Sequence, residues 1–139
     1  MSGRTFVDTN VLIYAYDTDA GDRHERAMSA LSALWASGSG AISTQVLQEF
    51  YVNVTRKIPH PLEPAEARAI IATYQAWPVE SPDVDDVLAA SDLAERYQLS
   101  FWDALIVRGA VKAGAAHILS EDFGTGRAFE GIAITNPFT

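Results

Sequence analysis

The chain has 139 residues, of which 48% are hydrophobic and 20% charged, so residues 1–139 suffice for one compact domain with an apolar core. It contains no cysteine, which excludes disulfide bonds, thiolate zinc sites and a cysteine nucleophile. The 10 basic and 18 acidic residues give a net charge of −8. That charge is unlike the basic surface of a general nucleic-acid binder and, taken alone, indicates only solubility.

The sequence also lacks the apolar segments that direct proteins to membranes. No apolar run approaches the roughly 20 residues that a bilayer-spanning helix needs. The N-terminus lacks the apolar stretch of a secretory signal. We therefore expect a protein of the cytoplasm with no membrane association.

The first half of the chain predicts two strands and the helices that follow them. Asn10 is a suitable N-cap for a short helix, and Ser43 is a suitable N-cap for a longer one. The predicted elements are a strand at 5–7, a helix at 11–14, a polar loop at 17–22, a helix at 23–36, a strand at 41–42 and a helix from Ser43 to about 57.

The second half continues this alternation of helices and strands. Ser81 and Pro82, followed by acidic residues, are typical of a helix start, and Ser100 opens the next helix. The predicted elements are a helix at 64–76, a minor strand at 78–80, helices at 82–97 and 101–113, a strand at 116–119, a loop at 124–131 and a strand at 132–134. Short apolar strands that alternate with helices predict an α/β fold, a central parallel sheet with helices on both faces.

Four acidic residues fall where ligands bind in such a sheet, at the carboxyl ends of its strands. Asp8 follows the first strand, and Asp122 follows the strand that ends at Leu119. Glu49 lies in the second turn of the helix after the second strand, and Asp103 opens the helix that leads to Leu119. We therefore expect the four carboxylates to converge at one edge of the sheet.

Asp103 has both a functional and a structural interpretation. On the helical wheel it is directed towards the apolar side, opposite Arg108 and Lys112, which define the predicted solvent side. A carboxylate in that position needs a partner. It is equally well placed to form a capping box with Ser100, three residues earlier, and it can serve both purposes.

The other three acids have structural interpretations as well. Asp8 could cap a helix or a turn, although its neighbours are apolar. Glu49 shares an i, i+4 row with Gln45 and could be a solvated glutamate at a helix border. Asp122 could be a turn residue, and Glu121 beside it is a competing candidate.

Taken together, the four acids indicate a metal site. Carboxylates about 5 Å apart repel each other by roughly 3 kcal/mol per pair at an effective dielectric of 20. Four in one cavity would not stay ionised without a cation, and oxygen ligands alone select a hard ion such as Mg²⁺ or Mn²⁺. Such ions bind phosphates, activate water and stabilise the charge that develops during phosphodiester hydrolysis.

Other functional classes fit the sequence less well. The three histidines lack metal-ligand spacing, and there is neither a nucleophile elbow nor a P-loop. A non-catalytic receiver-type signalling module would need adjacent acids after the first strand, where Asp8 is followed by Thr9, and a lysine after a late strand. A haloacid-dehalogenase-like phosphatase would need a second aspartate in place of Asn10.

Four short segments resemble the PIN domain, in particular the VapC-like toxins of bacterial toxin–antitoxin pairs. They occur in the family's order and spacing, and the similarity covers nearly the whole chain. The segments are Phe6-Val7-Asp8-Thr9-Asn10-Val11-Leu12, Gln48-Glu49-Phe50, Ser100-Phe101-Trp102-Asp103-Ala104-Leu105-Ile106 and Ile118-Leu119-Ser120-Glu121-Asp122-Phe123.

The resemblance implies a Rossmann-like parallel sheet and a metal-dependent endoribonuclease acting on RNA. It maps the four-acid catalytic and metal site to Asp8, Glu49, Asp103 and Asp122, and the small polar residues near the metal to Asn10 and Ser120. Ser120 stands where many members have threonine. The resemblance also implies a homodimer and a cognate antitoxin that often directs a basic side chain at the acidic site.

Two questions stay open at this point. A PIN nuclease outside toxin–antitoxin systems is a plausible alternative, and the gene immediately upstream would decide between the two. RNA could be held through the metal and a local basic rim, but any one basic residue is more simply part of a solvated face. The candidates for the rim are Arg23, Arg26, Arg56, Lys57, Arg108 and Lys112.

Overall fold

The computed structural model describes residues 3–124 and 126–139. Its strands are β1 Arg4–Val7, β2 Gly40–Ser43, β3 Val79–Glu80, β4 Ala115–Leu119, β5 Ala128–Phe129 and β6 Ile132–Thr135. Its helices are α1 Thr9–Tyr14, α2 Asp22–Ser37, α3 Thr44–Arg56, α4 Pro64–Thr73, α5 Val84–Tyr97 and α6 Phe101–Lys112. Short 3₁₀ helices cover Thr18–Ala20 and Tyr74–Ala76. Each predicted strand and helix is therefore present.

The six strands form one sheet in the order β3-β2-β1-β4-β6-β5. β1 is parallel to both β2 and β4, and β2–β3 and β4–β6 are parallel pairs as well. Helices flank this mainly parallel sheet, which confirms the predicted α/β class.

The strand β5 corrects the prediction of a loop over residues 124–131, because it pairs antiparallel with β6. The two strands are joined at Glu130 and Gly131, which have φ angles of 52° and 79°. Two successive positive φ angles are typical of the tightest hairpin turns, where asparagine or aspartate usually precedes glycine. The strand β5 was not predicted from the sequence, because it has only two residues and because glutamate, not asparagine or aspartate, precedes the glycine of the turn.

The hydrophobic core is centred on β1 and β4. Phe6 and Val7 of β1, Ile118 of β4 and Phe50 of α3 are fully buried. In the described part of the chain, no helix is long and apolar enough to cross a bilayer.

The packing of α6 fixes its start relative to the end of β1. A β-carbon at Gly109 would lie 3.1 Å from the Phe6 ring, so glycine lets the helix lie close to the strand. Val7 pairs with Leu119 in the β1–β4 register, and the N–H of Asp8 donates to the carbonyl of Leu119 at 3.0 Å. The residues after β1 and β4 therefore emerge side by side.

The predicted solvent side of α6 is wrong in one respect. Arg108 Nε and Lys112 Nζ each lie 2.8 Å from a carboxylate oxygen of Asp86, which is buried at the start of α5. Burial raises the pKa of Asp86, but the hydrogen bonds from Lys112, the backbone of Asp83 and Arg108 outweigh it and lower the pKa below its ordinary value. The two cations therefore anchor α6 to α5 rather than facing only water.

Two predicted N-caps are also wrong. The α1 helix is capped by Asp8, whose side chain accepts a hydrogen bond from the N–H of Thr9, and Asn10 is already inside the helix. The α5 helix is capped by Asp83, which forms a reciprocal capping box with Asp86, so Ser81 precedes the true start. In both cases the actual cap is an aspartate two residues from the predicted one.

Candidate functional site

The four predicted acids line one cavity of about 210 Å³ at the carboxyl edge of the sheet. Asp8 follows β1, Asp122 follows β4, Glu49 belongs to α3 and Asp103 to α6. The full lining is Asp8, Thr9, Asn10, Ile13, Gln45, Glu49, Trp102, Asp103, Ile106 and Asp122. The fold thus brings together acids from four separate segments of the chain.

Asp8 is the most deeply buried of the four, with only 5% of its surface exposed. One carboxylate oxygen accepts a hydrogen bond from the Ser120 hydroxyl at 2.7 Å, and the other accepts one from the N–H of Thr9 at 2.7 Å. Burial raises the pKa of Asp8 to about 7 despite these bonds, and the negative charges of Asp122 and Asp103 add to the rise. A negative charge at Asp8 is therefore costly unless a cation is nearby.

Asn10 and Ser120 join Asp8 to Asp122. The Asn10 amide lies 3.3 Å from Asp8 Oδ2 and 3.1 Å from Asp122 Oδ2, so the two carboxylates share one donor. The Ser120 hydroxyl accepts from the N–H of Asp122 at 3.0 Å while donating to Asp8. Both residues expected to support the site therefore contact the acids, although Asn10 was also expected to be a helix cap.

Glu49, from α3, is held at the cavity by a hydrogen bond from α1. Its Oε1 accepts a hydrogen bond from the Thr9 hydroxyl at 2.7 Å, which fixes the carboxylate relative to α1. Thr9, which follows Asp8 directly, is a site residue that was not predicted from the sequence. Its hydroxyl neutralises none of the charge of Glu49, so the acid remains available to a cation.

Asp103 lies in the first turn of α6, next to the N-cap residue Ser100 in that turn, and its role as a metal ligand stays a prediction. Its N–H donates to the Ser100 hydroxyl at 3.1 Å, so Ser100 caps α6, while the Asp103 carboxylate lines the cavity. Partial burial, followed by the negative charge of Asp122, raises its pKa, and a hydrogen bond with Ser100 lowers it. The position of Asp103 in the first turn of α6 does not prevent it from facing the other acids.

Gln45 is a site residue that the sequence analysis did not propose. Its Nε2 donates to the carbonyl of Trp102 at 3.3 Å, so the amide oxygen faces the other way. That oxygen is buried and has no hydrogen-bond partner among the described residues. The sequence feature that could have identified Gln45 is its i, i+4 spacing from Glu49, which places both residues on the same side of α3.

Glu121 does not line the cavity, in contrast to its neighbour Asp122. Its carboxylate accepts a hydrogen bond from the Tyr14 hydroxyl at 3.1 Å and forms an ion pair with Arg23 at 3.2 Å. Glu121 therefore competes poorly with Asp122 for a role in the acidic site.

None of the six basic candidates lines the cavity. Arg23 pairs with Glu121, Arg26 pairs with Asp22, and Arg108 and Lys112 bind Asp86. Arg56 and Lys57 are exposed at the far end of α3, seven or more residues from Glu49. The expectation of a basic rim finds no support at the cavity itself.

The donor set of the cavity fits a hard divalent cation. All four acids offer oxygen atoms, Gln45 adds an unpartnered buried amide oxygen, and the pKa of Asp8 is raised where a cation would lower it. Among residues 3–124 and 126–139, no three acids or histidines are arranged as a ready-made set of metal ligands. Mg²⁺ commonly binds through only one or two carboxylates and keeps several waters, so such a set is not required.

A mainly parallel α/β sheet with an acidic cavity at its carboxyl edge defines the class of protein. The sequence pattern of the PIN domain matches residues 5–128, so the chain belongs to the PIN domain family. This confirms the resemblance seen in the sequence. A comparison with curated proteins found no matching sequence.

Solved structures of VapC toxins and their complexes are similar to this chain. VapC20 of Mycobacterium tuberculosis, described as a sarcin-ricin loop cleaving toxin, is 26% identical, with a TM-score of 0.62 over 82% of this chain and 86% of that one. A toxin–antitoxin complex from Klebsiella pneumoniae gives 20% identity and a TM-score of 0.68 over 96% and 98% of the two chains. VapBC2 of Rickettsia felis, bound to a DNA fragment from its promoter, is 16% identical, with a TM-score of 0.64 over 95% of this chain and 97% of that one. The last two show similarity of fold alone.

Proposed function

We propose that this protein is an endoribonuclease that depends on Mg²⁺ or Mn²⁺ and hydrolyses RNA phosphodiester bonds. The observation that carries the proposal is the convergence of Asp8, Glu49, Asp103 and Asp122 on one cavity, where burial raises the pKa of Asp8 to about 7. Membership of the PIN domain family supports it.

All four acids are assigned to the ion, directly or through its waters. Asp8 and Asp122 share the Asn10 amide as a hydrogen-bond donor. When bound, the ion would activate water and offset the charge that develops on the phosphodiester.

The remaining polar residues position these acids. The Ser120 hydroxyl and the N–H of Thr9 orient the two oxygens of Asp8, and the Thr9 hydroxyl orients Glu49. Partners of this kind commonly affect metal affinity or activity by about 10- to 100-fold.

We further propose that the protein is the toxin of a toxin–antitoxin pair. VapC20, at 26% identity, is described as cleaving the sarcin-ricin loop, which supports RNA as the substrate class. The similarity to toxin–antitoxin complexes supports a cognate antitoxin as partner. In this proposal the protein is a cytoplasmic homodimer, and the antitoxin blocks the acidic cavity.

Cleavage of total RNA with and without EDTA tests the activity, with the cut ends mapped. The wild type should cleave RNA in Mg²⁺ or Mn²⁺, and EDTA should abolish this cleavage. Asp8→Asn should cleave RNA neither with these metals nor with EDTA. Asp85→Asn, which changes an exposed aspartate of α5, is the matched control and should cleave normally. Cleavage by Asp8→Asn at the wild-type rate would contradict the site, and cleavage in EDTA would contradict the metal.

Expression without a partner tests the toxin assignment separately. The wild type should arrest growth, Asp8→Ala at equal abundance should not, and co-expression of the reading frame immediately upstream should restore growth. A protein that cleaves RNA in vitro but is neither toxic nor neutralised would be a PIN nuclease outside toxin–antitoxin systems. An acidic signalling module would cleave no RNA with either metal.

A further inference from the structure

Trp102 differs from the other two tryptophans in its exposure. It is 63% exposed, whereas Trp77 is 6% exposed. Trp35 is 38% exposed and packs against Tyr74 and Trp77, with ring centroids 5.2 and 5.0 Å apart. The described ring contact of Trp102 is with its neighbour Phe101, at 5.3 Å and an interplanar angle of 79°. Most of the indole surface is therefore open to solvent.

The position of this indole connects it to the proposed function. Trp102 is the second residue of α6, directly before Asp103, and it lines the same cavity as the four acids. A strand of RNA whose phosphodiester reaches this cavity would bring its neighbouring nucleotides to the rim, where Trp102 lies.

The backbone that carries the indole is fixed from two sides. The Gln45 amide donates to the Trp102 carbonyl at 3.3 Å, which joins the start of α6 to α3. The Ser100 hydroxyl caps the same turn through the N–H of Asp103 at 3.1 Å. A ring on a fixed backbone loses little conformational entropy when a partner stacks on it.

The charge around the cavity favours an uncharged contact with the substrate. Its lining contains four acids and, within the described residues, no lysine or arginine. Phosphates next to the scissile one would be repelled there, so the strand needs a contact that does not involve its charge. Stacking of a base on an aromatic ring meets this need, because every base has a π-face.

We propose that the indole of Trp102 is the stacking platform for an RNA base next to the scissile phosphodiester. This inference rests on the proposed function. It predicts a preference for single-stranded RNA, because only an unstacked base can lie on the ring. It also predicts tolerance of different bases at that position.

Steady-state cleavage of a single-stranded RNA oligonucleotide tests the role of the ring. Trp102→Ala should raise KM by about 5- to 150-fold, the range for losing one base–aromatic stack, with a smaller effect on kcat. Trp102→Phe keeps an aromatic face and should restore most of the affinity. Trp35→Phe is the matched control and should leave both constants unchanged, with circular dichroism confirming that every variant is folded.

Tryptophan fluorescence gives a readout that does not depend on cleavage. In an Asp8→Asn background with Mg²⁺, the same oligonucleotide should quench the emission. The quenching should persist with Trp35→Phe added and disappear with Trp102→Phe added. A stacked base quenches the ring it covers, so the loss would assign the contact to Trp102.

The two proposals can fail separately. If the wild type cleaves no RNA, the proposed function fails, and this inference fails with it. If the wild type cleaves RNA but Trp102→Ala keeps the wild-type KM, or the quenching survives Trp102→Phe, the inference alone is wrong. A Trp102 emission that shifts to the blue with protein concentration, without RNA, would assign the ring to a second copy of the chain and overturn the inference.

Discussion

Replacing Asp8 by asparagine should stabilise the metal-free protein at neutral and alkaline pH. Burial raises the pKa of this carboxyl from 3.8 to about 7 in the folded state. A group whose folded pKa is raised holds more protons when folded than when unfolded, so the free energy of unfolding falls as pH rises from about 4 to about 7. At 1.36 kcal/mol per pKa unit, ionising Asp8 costs the folded state about 4 kcal/mol.

Asparagine removes this cost because it carries no charge at any pH. Its single amide oxygen cannot accept from both Ser120 and the N–H of Thr9, which bond to different oxygens of the carboxylate, and this reduces the gain by about 1 kcal/mol. Asp8→Asn should therefore be about 3 kcal/mol more stable than the wild type at pH 8 but only about 0.6 kcal/mol more stable at pH 5.

Urea denaturation in EDTA at pH 5, 6, 7 and 8 measures the effect as a difference between the two proteins. Taking the difference cancels the contributions of groups that titrate in both proteins. Asp86 does not interfere, because its lowered pKa confines its contribution to pH values below about 4. Asp85→Asn should keep the wild-type pH dependence. Parallel stability curves for wild type and Asp8→Asn would refute the view of Asp8 as a buried acid in need of a cation.

Further predictions concern the metal, the neighbouring acids and the anchor of α6. Mg²⁺ or Mn²⁺ at 100 times its Kd should stabilise the wild type by about 2.7 kcal/mol, measured by thermal unfolding. The same metal concentration should stabilise Asp8→Asn much less. Asp103→Asn should lower single-turnover cleavage by orders of magnitude while changing metal-free stability by at most about 1 kcal/mol; normal cleavage with lost stability would leave Asp103 a structural role in the first turn of α6 only. Ser120→Ala should lower cleavage by about 10- to 100-fold at saturating RNA, and unchanged cleavage would remove Ser120 from the site. Asp86→Ala should lose about 2–3 kcal/mol in urea denaturation, less than for a fully buried pair because both of its cations partly reach water; a loss below 0.5 kcal/mol would refute the anchor.

The sequence was sufficient to predict the parallel core and the convergence of the acids. Asp8 and Asp122 both follow apolar strands, and the carboxyl ends of parallel strands lie at one edge of the sheet. The convergence of Glu49 and Asp103 followed from the same topology, because each belongs to a helix that adjoins a strand of that sheet. Their metal binding stays a prediction.

Features that depend on which helices pack together could not be predicted from one sequence. Arg108 and Lys112 looked solvated because their partner, Asp86, lies on another helix and was itself interpreted as an acid at a helix start. Gln45 and Trp102 were visible as residue types, but their contact joins α3 to α6 across the cavity. Local spacing carries no information about contacts of that kind.

The internal pairing of the basic residues has a consequence for the proposed encounter with RNA in solution. Arg23 is bound to Glu121, and Arg108 and Lys112 are bound to Asp86, in a chain of net charge −8. Basic RNA-binding proteins attract the RNA strand over long distances, and their affinity falls steeply as added salt screens that attraction. If RNA is the substrate, as proposed, the long-range force between protein and RNA is repulsive, so added monovalent salt should screen a barrier and speed the encounter. Under that proposal, association is governed by short-range contacts at the cavity.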